Sequence, residues 1–463
     1  MPEHTSLLLS EGETYWFEDD YLIALDHGYY RYGISRSYTA LTEDQYSGNT
    51  TITVAGDSET HVNACVQDER TGLMWNKAPS SAVGPATDGR LYWDDHCVQI
   101  QHDGANGGWA KNEKVTQAVS GATGIVRQTY ETGNRLTLYN VTGTFDTTNT
   151  ISGDVSGGPD TPSSIRVGAK KDIWSYVRAA NMAALGGHRD WRIPNVFEML
   201  SIMNYSTTNG NAHPDSAYFT LISPASNYIY TSTHYGGYQA FIIRPANGST
   251  PWGATGEKAH VSGHTYLVRG PDITESRPCL LPSTGQVVTA ESQFADDGFY
   301  RKGITREFEA LNDGQYKGDN FWVPNAIGIA RFFSNNCVLD KLTGLMWTKE
   351  RTDDLVNWRD ISGNRNDVYE NLRLANLAKL GGHDDWRIPT IFEAISIIDL
   401  NSFVPFSTYF HGGVFWTATP RPDSPTNNVF RYTGGLIGSG ASRTTTNTAY
   451  IRFVRGGSTD EDL

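Results

Sequence analysis

The sequence predicts two tandem domains, built from two copies of one unit that contains capped helices, with a β-rich insertion in the first copy. The motif TGLMW at residues 71–75 is followed by GGHRDWRIP at 186–194, and TGLMW at 343–347 is followed by GGHDDWRIP at 381–389. An ordered motif set that recurs along a chain indicates a duplicated domain. Copy one covers about residues 1–272, and copy two covers about residues 273–463.

The insertion accounts for the main difference in length between the copies. Trp191 lies 116 positions after Trp75, whereas Trp386 lies 39 positions after Trp347. The additional text, at about residues 80–168, consists of short runs in which β-branched and polar residues alternate, separated by Gly and Asn. This pattern predicts a small antiparallel β element.

Two helices are predicted in each copy. Apolar residues recur near helical spacing before each Gly-Gly pair, and Gly186 and Gly381 can end these helices in the left-handed conformation. After each WRIP string, a capping residue is followed three positions later by Glu198 or Glu393, which predicts a capping box and the start of a second helix.

The repeated polar and aromatic residues favour a structural role. The two Glu residues fit capping boxes, and Asp190 and Asp385 beside an Arg fit a charge pair that holds a turn. His188 and His383 have no second ligand at metal spacing, so we expect no metal and no cofactor. The predicted structural set is Trp75, Trp191, Arg192, Glu198, Trp347, Trp386, Arg387 and Glu393.

Composition narrows the function classes. The chain has 38% hydrophobic and 19% charged residues, which is ordinary for a globular protein. Its net charge of −14 disfavours nucleic acid and anionic membranes as partners, because both bind through Lys and Arg. No run approaches the roughly 18 apolar residues of a membrane span, and no secretory signal is visible at the start.

The four cysteines leave two arrangements open. Cys65 and Cys337 occupy matching positions in the copies, while Cys97 and Cys279 have no counterpart. Pairing of Cys65 with Cys97 and of Cys279 with Cys337 is one arrangement. Free buried thiols are the other.

The ordered motifs resemble those of the Lcl C-terminal domain family. The shared set is TGLMW, GGxxDWRIP, a capped helix, an aromatic-Thr-x-Thr segment at 230–233 and 416–419, and a closing VRG at 268–270 and 454–456. The resemblance implies an α+β fold with two tandem C-type-lectin-like domains. It also implies a protein of bacterial surfaces, where such domains adhere to glycans, or of tailed bacteriophages.

The copies diverge most between the aromatic-Thr-x-Thr segment and VRG, so we expect partner contacts there. This region is rich in the aromatic and small polar residues found in antibody combining sites. The alternative is that these residues only fill irregular loops and contact no partner. The candidate contact residues are Tyr235, Tyr238, Trp252, Phe430, Tyr432 and Arg443.

We therefore expect a non-catalytic virion protein, either a tail-associated receptor-binding component or a capsid-decorating one. Its partners would be other virion proteins and a host-surface glycan or protein, and a homo-oligomer is expected by analogy. No nucleophile elbow, phosphate loop or HExxH helix is present, so we expect no enzyme. The alternatives are a secreted bacterial adhesin at the cell surface and, third, a polysaccharide hydrolase with paired carboxylates.

Overall fold

A computed structural model gives the fold of the chain. It describes residues 36–42, 50–62, 65–81, 90–93, 97–104, 108–110, 112–130, 134–169, 171–204, 213–222, 228–235, 239–245, 254–257, 262–270, 281, 303–311, 321–324, 330–333, 337–349, 352, 355–358, 367–400, 404–405, 409–410, 412–420, 428–433, 437–442 and 447–456. Strands and helices are numbered below in chain order.

Each copy is organised around a four-stranded antiparallel sheet whose two edge strands are the first and last described strands of the copy. In copy one its strands, in spatial order, are β1 (Tyr38–Leu41), β4 (Cys65–Asp68), β5 (Met74–Asn76) and β19 (Val268–Arg269). In copy two they are β20 (Phe308–Leu311), β23 (Cys337–Asp340), β24 (Met346–Thr348) and β32 (Val454–Arg455). The register places Trp75 opposite Val66 and Val268, and Trp347 opposite Val338 and Val454, so TGLMW supplies the inner strand.

Smaller antiparallel sheets surround this one in the same arrangement in both copies. Copy one has β2 (Thr50–Val54) with β3 (Asp57–His61), β6 (Leu91–Tyr92) with β18 (Ser262–Gly263), β13 (Met203–Asn204) with β14 (His213–Pro214), and the three strands β15 (Ile229–Tyr235), β16 (Gln239–Ile243) and β17 (Ala254–Glu257). Copy two has β21 (Phe321–Pro324) with β22 (Ala330–Phe333), β25 (Val356–Asn357) with β31 (Thr448–Ala449), β26 (Ile398–Asp399) with β27 (Val404–Pro405), and the three strands β28 (Val414–Pro420), β29 (Asn428–Thr433) and β30 (Ile437–Ser442).

The four α-helices of the described residues form two equivalent pairs. They are α1 (Ile173–Met182) and α2 (Val196–Ser201) in copy one, and α3 (Val368–Leu377) and α4 (Ile391–Ser396) in copy two. The helices α1 and α3 end at Met182 and Leu377, and Ala184 and Lys379 beyond them take left-handed φ values of 53° and 52°. Gly186 and Gly381 take the predicted left-handed conformation, with φ values of 55° and 58°, but they lie in separate 3-10 turns, Leu185–Gly187 and Leu380–Gly382, so the helices end earlier than predicted.

The insertion of copy one is a six-stranded β-barrel. In spatial order its strands are β11 (Ile151–Gly153), β8 (Lys114–Gln117), β9 (Thr123–Tyr130), β10 (Arg135–Thr142), β7 (Val98–His102) and β12 (Pro162–Val167). The sheet closes because Ile151 and Asp160 exchange two backbone hydrogen bonds, of 2.8 and 3.0 Å. Apolar side chains such as Ile100, Val126 and Leu136 fill its own core.

The barrel enters and leaves copy one at a single place. Tyr92 pairs with Asp172 in copy one, and Asn357 pairs with Asp367 in copy two, so the equivalent bridge spans a short segment in one copy and the whole barrel in the other. The first and last barrel strands, β7 and β12, are hydrogen-bonded to one another. The ends of the module therefore lie side by side, which is the usual geometry of a tolerated insertion.

The predicted fold class was wrong. Strands take 42% of the structure and helices only 15%, so the protein is mainly β and is not an α+β pair of C-type-lectin-like domains. The physical reason lies in the lengths of the elements. Many strands of the repeated unit have only two to five residues, too few for an alternating pattern to stand out, whereas the capped helices carry strong local signals.

The described cysteines are buried and form no disulfide. Cys65, Cys97 and Cys337 each have no disulfide, so the pairing of Cys65 with Cys97 does not form, nor does that of Cys337 with Cys279, which lies outside the described residues. Burial raises the pKa of the Cys65 and Cys337 thiols to about 12, which keeps both protonated and unreactive.

Within the described part of the chain, no helix combines the length and the apolar character needed to cross a membrane.

Candidate functional site

A buried arginine clamp is the most polar feature of the repeated unit. In copy one, the Arg192 guanidinium donates to both carboxylate oxygens of Glu198, at 2.6 Å each, and to the carbonyl oxygen of Gly270 at 2.9 Å. In copy two, Arg387 makes the same contacts with Glu393, at 2.7 and 2.5 Å, and with the Gly456 carbonyl at 2.9 Å. The clamp ties WRIP to the closing VRG of each copy.

The clamped glutamates also cap the second helices, so their acceptors are occupied. The backbone N–H of Asn195 donates to Glu198 at 2.8 Å, and the backbone N–H of Thr390 donates to Glu393 at 2.8 Å. Both predicted capping boxes are present. Since each carboxylate is buried, charge-paired and hydrogen-bonded to the backbone, neither Glu is placed to serve as a general base.

The aspartates of the motif have different partners from those predicted. Asp190 pairs with Arg269 at 2.7 Å, and Asp385 pairs with Arg455 at 2.6 Å, whereas Arg192 and Arg387 turn inward to the glutamates. Partial burial would raise the pKa of Asp190, but the hydrogen bond and charge of Arg269 outweigh it and leave that pKa below its ordinary value. Each pair links the motif turn to the Arg of VRG.

The motif tryptophans are fixed by side chains of the preceding helices. Asn181 accepts from the Trp191 backbone N–H at 2.7 Å and donates to its carbonyl at 2.8 Å, and Asn376 holds Trp386 in the same way. The Trp191 indole N–H donates to the Leu185 carbonyl at 2.8 Å. These contacts explain why an Asn precedes each DW pair by nine residues, a signal that the sequence carries in both copies.

The aromatic-Thr-x-Thr segment completes the scaffold. The Thr233 hydroxyl accepts from the backbone N–H of Val196 at 3.0 Å, and the Thr419 hydroxyl accepts from that of Ile391 at 2.9 Å. Each Thr therefore satisfies an N–H of the first turn of α2 or α4, which has no partner within the helix. The repeated motifs therefore bind one another.

Copy one contains a second buried polar network that sequence reasoning missed. The Glu59 carboxylate accepts from Tyr176 at 2.7 Å and from the Ser81 backbone N–H at 2.7 Å, and its other neighbour is the His61 ring nitrogen at 2.9 Å. Burial alone would raise the pKa of Glu59, but the hydrogen bonds of His61 and Tyr176 outweigh it and lower the pKa to about 2. Glu59 is therefore ionised at neutral pH and fastens the β2–β3 hairpin to α1.

One group in the described residues has the donor types of a metal site. It comprises His102, Asp103 and Asp160 of the barrel, with one ligand atom from each within 4.8 Å of the others. His102 Nδ1 lies 3.0 Å from an Asp160 oxygen that also accepts from the Trp109 indole N–H at 3.0 Å. Hydrogen bonds within the barrel therefore already occupy this carboxylate.

Three of the candidate contact residues, Tyr235, Phe430 and Tyr432, lie in strands of the three-stranded sheets. Tyr235 lies in β15 and Phe430 in β29, although the structure does not describe their side chains. Tyr238, Trp252 and Arg443 lie outside the described residues.

The side chain of Tyr432, which the structure does describe, is fully buried. Its ring stacks on Phe415 with a centroid distance of 4.9 Å, and its hydroxyl accepts from Arg452 at 3.2 Å. Tyr432 therefore belongs to the core of copy two and has no access to a partner. The divergence between the copies marked its segment as a loop, but strand β29 turns this side chain inward.

Two arginines of these sheets also escaped sequence reasoning. Arg244, just after β16, lies 4.6 Å over the Tyr228 ring and donates to its hydroxyl at 2.9 Å. Arg431, in β29, lies 5.5 Å from the Trp416 ring and donates to the Thr448 carbonyl at 3.1 Å. No sequence motif marks them, because they lie in segments that the two copies do not share.

Comparison with known proteins agrees with the repeated geometry. The family model described as the Lcl C-terminal domain matches residues 64–269 and 336–455, one match in each copy and together more than half of the chain. No curated protein and no solved structure matched the chain. Both matched ranges begin beside the buried cysteine strand and end at the VRG strand, so they enclose the Arg–Glu pair of the clamp and the three-stranded sheet.

Proposed function

Because this chain belongs to the Lcl C-terminal domain family in both of its copies, we propose that it is a non-catalytic binding protein whose two domains present their three-stranded sheets to a partner. The observation that carries this proposal is that the polar residues repeated in both copies bind one another inside each domain. Arg192, Glu198 and their counterparts in copy two are buried and paired with one another, which suits a scaffold and leaves recognition to the parts that differ.

The divergent parts suit recognition. The strands β15–β17 and β28–β30 occupy equivalent positions in the two copies but carry different side chains. The whole segments between the aromatic-Thr-x-Thr motif and VRG contain Tyr, Ser and Asn in both copies, and such residues combine rigid contact area with adaptable hydrogen bonding. Two related scaffolds with different surfaces are suited to a carbohydrate or protein surface that offers more than one contact.

The location and partner complete the proposal. We assign the protein to a virion, as a tail-associated or capsid-decorating component, with a host-surface glycan or a neighbouring subunit as its partner. Immunogold labelling of purified particles with antibodies against this chain tests the location. Label on the particles would support it, and label confined to the surface of the producing cell would replace the virion by a bacterial adhesin.

A binding experiment tests the function itself. The full chain is applied to a glycan array and to immobilised host-surface polysaccharide, alongside the variants Tyr235→Ala and Phe430→Ala. We expect binding without released product, weakened about tenfold or more in the variants. Met182→Ala and Leu377→Ala are matched controls, since both side chains are exposed apolar groups at equivalent helix ends away from the sheets. Release of oligosaccharides by the wild-type chain would contradict the proposal.

A further inference from the structure

The short helices α2 and α4 are buried on every side. All six residues of Val196–Ser201 and all six of Ile391–Ser396 are buried. A helix that covers only one sheet keeps a solvent-facing side, so a helix with no exposed face has a second covering surface. Each helix contacts the three-stranded sheet of its own copy, α2 through β15 and α4 through β28 and β29. Their remaining faces are covered by something else.

Part of this second cover comes from the same copy, because Trp75 and Val268 of the four-stranded sheet lie in one apolar cluster with α2, and part comes from the other copy. One contiguous apolar cluster contains side chains from both helices and from both copies, so the two cores are joined here. Its members on α2 and α4, which stand at equivalent positions, are Val196, Phe197, Met199, Leu200, Ile391, Phe392, Ala394 and Ile395. The remaining core of copy two forms separate clusters, so this junction is carried by the helix and its nearest strands.

An arginine crosses the junction. Arg306 of copy two donates to the carbonyls of Ser396 and Ile398 at the end of α4, at 2.6 Å each, while its guanidinium lies 5.5 Å from the Phe197 ring of copy one. This is within the range of a cation–π interaction. Arg306 is 9% exposed, and burial lowers its pKa to about 10, which leaves it charged at neutral pH.

The equivalent arginine of copy one has the same local role. Arg36 donates to the carbonyls of Ser201 and Met203 at the end of α2, at 2.8 and 2.5 Å. The same helix, the same aromatic position and the same arginine are thus offered by both copies. A surface that is used by both partners is the mark of a twofold, self-complementary interface.

We propose that the two copies dock on each other as an intramolecular pseudo-dimer, in which the α2 face of copy one and the α4 face of copy two are each other's binding surface. Separation of the copies would expose both apolar helices to water, which opposes it. The linkage within one chain raises the effective concentration of each copy for the other. The copies therefore unfold together, and they stay associated when the connection is cut.

Cutting the full chain tests this directly. A specific protease site is placed after residue 272, at the boundary between the copies, and the purified chain is cleaved under native conditions. We expect the halves to co-elute in size-exclusion chromatography. Their unfolding midpoint should rise with protein concentration, whereas the midpoint of the uncut chain should not depend on concentration. Elution as two separate species at micromolar concentration would overturn the proposal.

A double-mutant cycle shows whether the contact across the copies contributes. Arg306→Met and Phe197→Leu are introduced singly and together in the cleavable chain, and the dissociation constant of the cut halves is measured. We expect each change to weaken association several-fold and the double variant to be weakened by less than the product of the two. Effects that multiply independently would contradict a contact between these side chains. Val119→Leu is the control, because Val119 is 92% exposed on the barrel and leaves association unchanged.

Discussion

Copy one and copy two bury the same polar bonds among different apolar side chains. Arg192 and Arg387 each donate to three equivalent oxygens, two of a glutamate and one of a glycine carbonyl. Asn181 and Asn376 each bind the backbone of the motif tryptophan. By contrast, the aromatic before each Thr-x-Thr is Tyr230 in one copy and Trp416 in the other. Directional hydrogen bonds therefore fix the backbone of this unit, whereas the apolar side chains need only fill the space of the core. Hydrogen bonds depend on geometry, while burial depends mainly on area.

Removing the clamp arginine has the largest expected effect and should be the same in both copies. Arg192→Met and Arg387→Met each leave a buried glutamate without its charge partner, which costs about 3–5 kcal/mol of unfolding free energy. Urea denaturation followed by tryptophan fluorescence measures it. Arg189→Met is the control, since Arg189 is exposed and its loss changes stability by less than about 1 kcal/mol. A loss below 1 kcal/mol in either clamp variant would show that the copies are not built alike.

The Glu59 network of copy one should make the unfolding free energy of the whole chain fall in acid. The pKa of Glu59 is lowered from its ordinary 4.5 to about 2, so its ionised form is stabilised by folding. The stabilisation is fully present above about pH 4.5 and is lost as the pH falls toward 2, an effect on the order of 3 kcal/mol. Glu59→Gln should flatten the decline of unfolding free energy over this range. An unchanged slope in the variant would refute the role of Glu59.

The position equivalent to Tyr176 in copy two is Asn371, and this is the matched control for the acid effect. Asn371 donates to the Asp367 carbonyl at 2.7 Å and belongs to no comparable carboxylate network among the described residues. Asn371→Ala should lower stability by a similar amount at pH 5 and at pH 3, because it removes no group that titrates between them.

A methyl group at Gly186 should cost about 2 kcal/mol through two additive causes. Gly186 has a φ of +55°, and an added Cβ would collide with the Cys65 sulfur. The double variant Gly186→Ala with Cys65→Ala should relieve the collision but not the backbone strain, after correction for the Cys65→Ala change alone. If the double variant regains no stability after that correction, the collision with Cys65 is not the reason that a side chain is excluded at Gly186.

Exchanging the capping residues should have the smallest effect. Asn195 and Thr390 cap equivalent helices, and both types are good N-caps, so Thr390→Asn should change stability by no more than about 0.5 kcal/mol. Thr390→Ala, which removes the side-chain acceptor, should cost about 1 kcal/mol. Thermal or urea denaturation distinguishes the two. A large loss for Thr390→Asn would show that the copies differ at this cap.

The sequence correctly predicted the features that depend on residues close together in the chain. The capping boxes at Asn195 and Thr390 depend on residues three apart, and both are present. The partner of Asp190 could not be predicted in this way, because Arg269 lies 79 positions away and meets it only through pairing of the closing strand.

The main error concerned strands that leave no periodic trace. The three strands of each divergent sheet meet through irregular pairings, with register shifts between Tyr230 and His234 and between Phe430 and Tyr432. Such shifts break the alternation of buried and exposed residues, so the inward position of Tyr432 could not be inferred. The barrel was predicted as a β element, but its closure depends on the single pairing of Ile151 with Asp160, which no local pattern marks.

The adjacent ends of the barrel give this protein an exchangeable cassette. The host domain requires only that the chain return from Tyr92 to Asp172, and copy two makes the same return from Asn357 to Asp367 with a short connection. Any module that folds independently and has paired first and last strands can be placed between those two points. It leaves the arginine clamp and the sheets undisturbed. The junction is therefore a site at which evolution or an engineer can swap entire modules between the two copies.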